Sequence, residues 1–145
     1  MTVSAGSLVL SGGAALADTV AVNLGTAAAN LSLTASERIG SLTGVAGTAV
    51  TLGVNTLTTG DATNTSYAGV IGGVGGALTK VGSGTFTLSG ANTFSGPVTV
   101  SAGSLALSGG AALADSVAVS LDTATANLTL NASERIGSLA GVVST

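Results

Sequence analysis

Six acids and three bases are the only charged side chains in this 145-residue chain. The acids are Asp18, Glu37, Asp61, Asp115, Asp122 and Glu134, and the bases are Arg38, Lys80 and Arg135. Carboxylates can serve as acids, bases or nucleophiles. Glycoside hydrolysis, for example, uses a pair about 5–9.5 Å apart. The chain has no His and no Cys. The commonest general base and the strongest nucleophile are therefore missing. Asp18 and Asp115 stand at matching points of an internal repeat, as do Glu37 and Glu134. If five coils of a solenoid separate the members of each pair, they lie roughly 24 Å apart, too far for one site.

Other chemistries are also poorly supplied. Calcium needs several oxygen ligands converging in one loop. Gly60-Asp61-Ala62-Thr63-Asn64 has a single acid, and the glycine cluster at 72–76 has none. That cluster is no dinucleotide fingerprint, because Leu78 stands where the last glycine belongs. The Asn30, Asn64, Asn127 and Asn131 glycosylation patterns are ordinary for a chain rich in Asn, Ser and Thr. Thr85, Thr87 and Thr99 suggest a hydroxyl ladder, but Ala106 interrupts it one coil later. The pairs Glu37-Arg38 and Glu134-Arg135 read as solvated corners, with the arginine reaching a carbonyl or carboxylate of a neighbouring coil. We expect no catalytic residue, no cofactor and no metal site.

What must position these residues is unusual in composition. Hydrophobic residues make up 46% of the chain and aromatics 2%, with 23 glycines. Such a chain is too apolar to be disordered, yet too poor in large side chains for a thick core. The net charge is −3, and the three bases lie far apart, so no nucleic-acid surface is expected. The uncharged stretch 39–60 is interrupted by Gly, Thr, Ser and Asn and makes a poor membrane helix. Three aromatics cannot build the girdles of a transmembrane barrel. No basic n-region follows Met1, so no signal peptide is expected; if the parent is exported, this is a piece of it.

Two repeats are nested in the chain. Residues 2–48 return as 99–145, giving a long period of about 97 residues. A shift of about 19 residues lies inside it. It lays Phe86 and Leu88 over Leu105 and Leu107, and Val98 and Val100 over Val117 and Val119. It also lays Tyr67 over Phe86, Val81 over Val100, and Phe94 over Leu113. Apolar residues alternate with small or polar ones at Leu8/Leu10, Val20/Val22 and Leu128/Leu130. These are short strands with one buried face. The alanine runs at 14–17 and 111–114 are too short to nucleate helices. Pro97 stands at a strand start, where a missing N–H costs least. The expectation is an all-β, right-handed parallel β-helix (β-solenoid) of seven to eight coils. It forms a single segment over 1–145, with five coils to each long period.

The run LTKVGSGTFTLSGANTFSG at 78–96, continuing as Val98-Thr-Val-Ser-Ala-Gly-Ser-Leu105, resembles the autotransporter-associated β-strand repeat. Leu52-Gly-Val-Asn-Thr-Leu-Thr58, Tyr67-Ala-Gly-Val-Ile71 and Ser133-Glu-Arg-Ile-Gly-Ser-Leu139 also look like such passengers. The resemblance implies the passenger region of a bacterial type V secretion protein, exposed on a Gram-negative cell. It implies a structural stalk anchored in the outer membrane through other regions. The absence of Cys suits export of an unfolded passenger through a narrow pore. On this reading the segment contacts neighbouring coils of its parent, and host or bacterial ligands bind elsewhere or at the exposed loop 59–66. Two alternatives are self-association end to end, with adhesion between cells, and a fragment of a polysaccharide-active β-helix enzyme.

Overall fold

The computed structural model describes residues 1–142, which form seventeen short strands and no helix. Most strands are three to five residues long, and buried positions alternate with exposed ones along many of them. Glycine or a polar residue follows several of them directly, as Gly25 follows Leu24, Gly40 follows Ile39 and Gly60 follows Thr59.

Seven coils result. The first carries β1 (Thr2–Val3) and β2 (Gly6–Leu10). The second carries β3 (Ala21–Leu24), β4 (Ala29–Leu33) and β5 (Glu37–Ile39). The third carries β6 (Ser41–Gly44), β7 (Ala49–Thr51) and β8 (Thr56–Thr59). The fourth carries β9 (Thr65–Tyr67), β10 (Val70–Gly72) and β11 (Ala77–Lys80). The fifth has β12 (Thr85–Leu88) and β13 (Val98–Val100), and the sixth β14 (Gly103–Leu107) and β15 (Ala118–Leu121). The seventh has β16 (Ala126–Leu130) and β17 (Ser138–Gly141).

The strands stack into three sheets, one per face. The first face runs β1-β3-β6-β9-β12-β14-β16, the second β2-β4-β7-β10, and the third β5-β8-β11-β13-β15-β17. Neighbouring strands within each sheet are parallel. This is the parallel β-helix expected from the sequence. At about 4.8 Å per rung, seven coils make a rod on the order of 30 Å long. No helix among the described residues is long and apolar enough to cross a membrane.

The core is a set of vertical ladders inside the coil. Leu31, Val50 and Ile71 stack on the second face, and Leu57, Leu78, Val98 and Val119 on the third. Each such aliphatic contributes about 1.5–3 kcal/mol on burial. The ladders adjust to size. Gly44 pairs with Tyr67, and a Cβ at Gly44 would stand 2.5 Å from the tyrosine ring. The ring thus takes the volume that a side chain at position 44 would need.

The coil length differs from the expected 19 residues. Register steps run from 19, Leu31 to Val50, up to 23, Leu8 to Leu31. Phe86 and Leu88 do stack on Leu105 and Leu107. Val98, however, pairs with Val119 and not Val117, and Val100 pairs with Leu121 and Lys80 and not with Val119 and Val81. Tyr67 pairs with Leu88 and not Phe86. The Val81 error is one residue, which puts Lys80 inward in its place, and the other three are two residues. A two-residue slip leaves every side chain on the same face, so hydrophobic alternation cannot detect it.

The long repeat also departs from five whole coils. β14 repeats β2 and β16 repeats β4, yet the earlier pair lies on the second face and the later pair on the first. β15 repeats β3 and β17 repeats β6, yet the earlier pair lies on the first face and the later pair on the third. The unit therefore spans about four and two-thirds coils, and its second copy is rotated by one face.

Candidate functional site

Glu37 and Glu134 are not the solvated residues expected. Glu37 points inward from β5 and is 3% exposed. Its two carboxylate oxygens accept hydrogen bonds from the Ala15 and Leu16 amides, at 3.1 and 2.8 Å. Glu134 accepts from Ala112 and Leu113 in the same way, at 3.0 and 2.9 Å. The reason is local. The 14–17 and 111–114 turns form no strand and leave adjacent amides without ladder partners. A carboxylate one coil on supplies the acceptors. The adjacent arginines point outward and reach carboxylates of the preceding coil: Arg38 to Asp18 at 3.6 Å, and Arg135 to Asp115 at 3.7 Å. These exposed pairs contribute little to stability. Thr26 and Thr123, another repeat pair, cap the Ser4 and Ser101 carbonyls respectively. Both corners are thus rebuilt one face away.

Lys80 is the residue whose environment the sequence reading missed. It occupies an inward position of β11 and is 1% exposed. Its Nζ donates to the carbonyls of Val81, Gly82 and Ala102 at 2.6, 2.8 and 3.2 Å. All three ammonium protons therefore have partners. Burial pushes its pKa below the usual 10.5, and Asp61 nearby partly offsets this. Asp61 is held below its usual 3.8 by the Thr63 hydroxyl and amide, which both donate to it. The inward neighbour of Lys80 on the preceding coil is Thr59, whose buried hydroxyl has no hydrogen-bond partner. Thr59 ends β8 and Ser66 lies in β9, so the loop expected at 59–66 is only the corner 60–64.

Asparagines stitch coils where strands stop. The second face has no strand beyond β10 among the described residues. There Asn92 accepts from the Ile71 amide at 2.7 Å and donates to the Ala112 carbonyl at 2.6 Å, joining three coils. Asn55 donates to the Leu33 and Leu52 carbonyls, and Asn64 accepts from the Thr85 amide. Two of the sequon asparagines face other tasks or solvent: Asn64 bridges coils, and Asn127 donates to the Thr125 carbonyl.

The outward hydroxyls line up in a different column from the one expected. Thr58, Thr79, Thr99 and Ser120 stack on the third face, with Arg38 at one end and Ala140 at the other. Thr85 and Thr87 belong to the first face, above Ser104 and Ala106.

The acids are spread along the rod. Asp18 and Asp115 face arginines, Glu37 and Glu134 face backbone amides, Asp61 faces Thr63, and Asp122 accepts from Ser120. No group of three potential metal ligands and no pocket occurs among the described residues.

Fold and side-chain arrangement define a parallel β-solenoid whose polar groups serve the stacking of its coils. The family model of the passenger-associated-transport-repeat matches residues 78–107. The matched stretch runs from within β11 to the end of β14, and includes Lys80, Asn92 and Pro97. It contains the run whose likeness to autotransporter passengers the sequence carried. No curated protein and no solved structure matches the chain. The solenoid and this repeat together fit a segment of an autotransporter passenger.

Proposed function

We propose that the chain is a stalk segment of a surface-exposed or secreted bacterial passenger, working as a rigid spacer without catalysis of its own. The observation that carries this is the placement of the passenger repeat at 78–107 where the first and third sheets run on continuously. The buried polar groups support the same reading. Glu37, Lys80 and Asn92 each direct their hydrogen bonds to backbone groups of the coil stack. A rod of this kind holds other parts of its parent away from the cell envelope.

The absence of Cys from this chain makes a direct test simple. Val54 lies on an exposed turn, so a Val54→Cys variant of the parent offers one accessible thiol within this segment. A membrane-impermeant maleimide should label it on intact Gram-negative cells. Labelling that requires lysis would exclude surface display. A panel of polysaccharides incubated with the chain should stay intact, and release of reducing ends would exclude a purely structural role.

A further inference from the structure

Lys80 stands in a column that other residues fill without charge. The last inward positions of the third-face strands run Ile39, Thr59, Lys80, Val100 and Leu121. Aliphatic side chains serve at Ile39, Val100 and Leu121, so packing alone does not call for a lysine. A buried ammonium costs far more than a methyl group unless oxygens surround it. Here they do. The Val81 and Gly82 carbonyls come from the corner that follows β11, and the Ala102 carbonyl from the corner one coil on.

Glycines leave room for those oxygens. Gly103 has φ +66°, and a Cβ there would stand 2.5 Å from the Gly82 oxygen. Gly60 has φ +126°, and a Cβ there would collide with the Val81 oxygen. Thr59, one rung from Lys80 on the same column, brings a buried hydroxyl with no hydrogen-bond partner. The Asp61 carboxylate adds a nearby negative charge. Backbone carbonyls grouped in this way can replace the hydration shell of a monovalent cation. Val81, Gly82 and Ala102 are each partly exposed, so an ion has a short way in.

We propose that this corner is a structural site for a cation of the ammonium class, filled in this chain by the tethered ammonium of Lys80 and open to free ammonium once the lysine stem is removed. The tether makes the ion part of the chain, so it is not lost to dilution or to chelators. It joins the corner after β11 to the corner after β13. Lys80, its three carbonyls and Gly103 all lie within 78–107, so one copy of the passenger repeat carries the whole set.

The test uses the full chain with Lys80→Ala, which removes the ammonium and opens its channel. Urea midpoints are read at fixed ionic strength while tetramethylammonium, which is larger and has no N–H donor, is exchanged for ammonium. The folding equilibrium constant of Lys80→Ala should rise about tenfold by roughly 0.5 M ammonium and then level off. The unchanged chain and Lys80→Met, whose side chain fills the channel without charge, should respond equally to the two salts. An equal response of Lys80→Ala to both salts, or an ammonium response as large in Lys80→Met, overturns the proposal. If Lys80→Ala is unfolded in tetramethylammonium, the same exchange is read as return of the β-sheet circular dichroism, and no return overturns it. In the unchanged chain, nuclear magnetic resonance should show the Lys80 ammonium protons in slow exchange with water at neutral pH. Fast exchange there would overturn the proposal as well.

Discussion

Val22 and Val119 hold the same place in the sequence repeat and different faces of the solenoid: Val22 pairs with Leu42 in the first sheet, and Val119 with Val98 in the third. Their immediate surroundings are nonetheless the same kind of ladder. What the repeat preserves is the contact between one coil and the next, and not the position around the rod.

The glutamate clamp should therefore behave as a local device in each copy. Glu37→Ala removes a buried carboxylate and leaves the amides of exposed Ala15 and partly buried Leu16 without acceptors. It should lower stability by about 2–3 kcal/mol. Glu134→Ala removes a more exposed carboxylate but orphans the amides of buried Ala112 and Leu113, and should cost about 1–3 kcal/mol. Arg38→Ala should stay within about 0.5 kcal/mol, because its ion pair is exposed. Urea denaturation of the three variants checks that both glutamate changes exceed the arginine one.

Asn92 stands in for a missing strand. Asn92→Ala orphans the Ile71 amide and the Ala112 carbonyl together, for an expected loss of about 2–4 kcal/mol. Asn92→Asp keeps the acceptor and loses the donor, and should also destabilise. Hydrogen exchange should then show the Ile71 amide exposed in the alanine variant and protected in the aspartate variant.

Two glycines separate crowding from backbone strain. A Cβ at Gly90 would lie 1.9 Å from the Gly69 carbonyl oxygen of the preceding coil. Backbone cannot yield as a side chain does, so Gly90→Ala should cost about 3 kcal/mol or more. Gly12 has φ +90° and open space around it, so Gly12→Ala should cost only the left-handed penalty of about 1–2 kcal/mol. Thermal melting of both variants tests the ranking.

Alkaline pH should produce a maximum in stability. Burial lowers the Lys80 pKa below 10.5, so in the window beneath that value the unfolded chain binds the extra proton. Stability therefore rises with pH through that window and is lost as pH falls through the folded-state value. Burial raises the Tyr67 pKa above 10.0, so above that pH the unfolded chain loses its phenolic proton first. Stability then falls as pH rises further. Lys80→Met should flatten the ascending limb and Tyr67→Phe the descending one, as read from urea midpoints across the alkaline range.

The sequence made the solenoid legible because Leu31, Leu33, Phe86 and Leu88 alternate with polar residues, and alternation is a property of one strand. Register is a property of two strands, and it depends on the corner lengths between them. Those corners vary, which is why Val98 was matched two residues away from its true partner, Val119. Lys80 carried a readable signal: it follows Leu78 by two and so shares its inward face. Charge argued against burial there, and only the three carbonyls at the corner reverse that argument. The Glu37 clamp had no such signal, since the amides it satisfies lie 21 and 22 residues earlier in the chain.

The fractional coil count of the repeat has an outcome at the scale of the whole filament. Had the unit closed on a whole number of turns, every Asp18–Arg38 corner and its descendants would lie along one line, like rivets on a seam. Because each unit falls a third of a turn short of five coils, successive units set the same corner at successive azimuths, and a third unit in the same phase would complete the circuit. A fibre built this way has no front or back, so whatever a corner loop carries is shown to all sides.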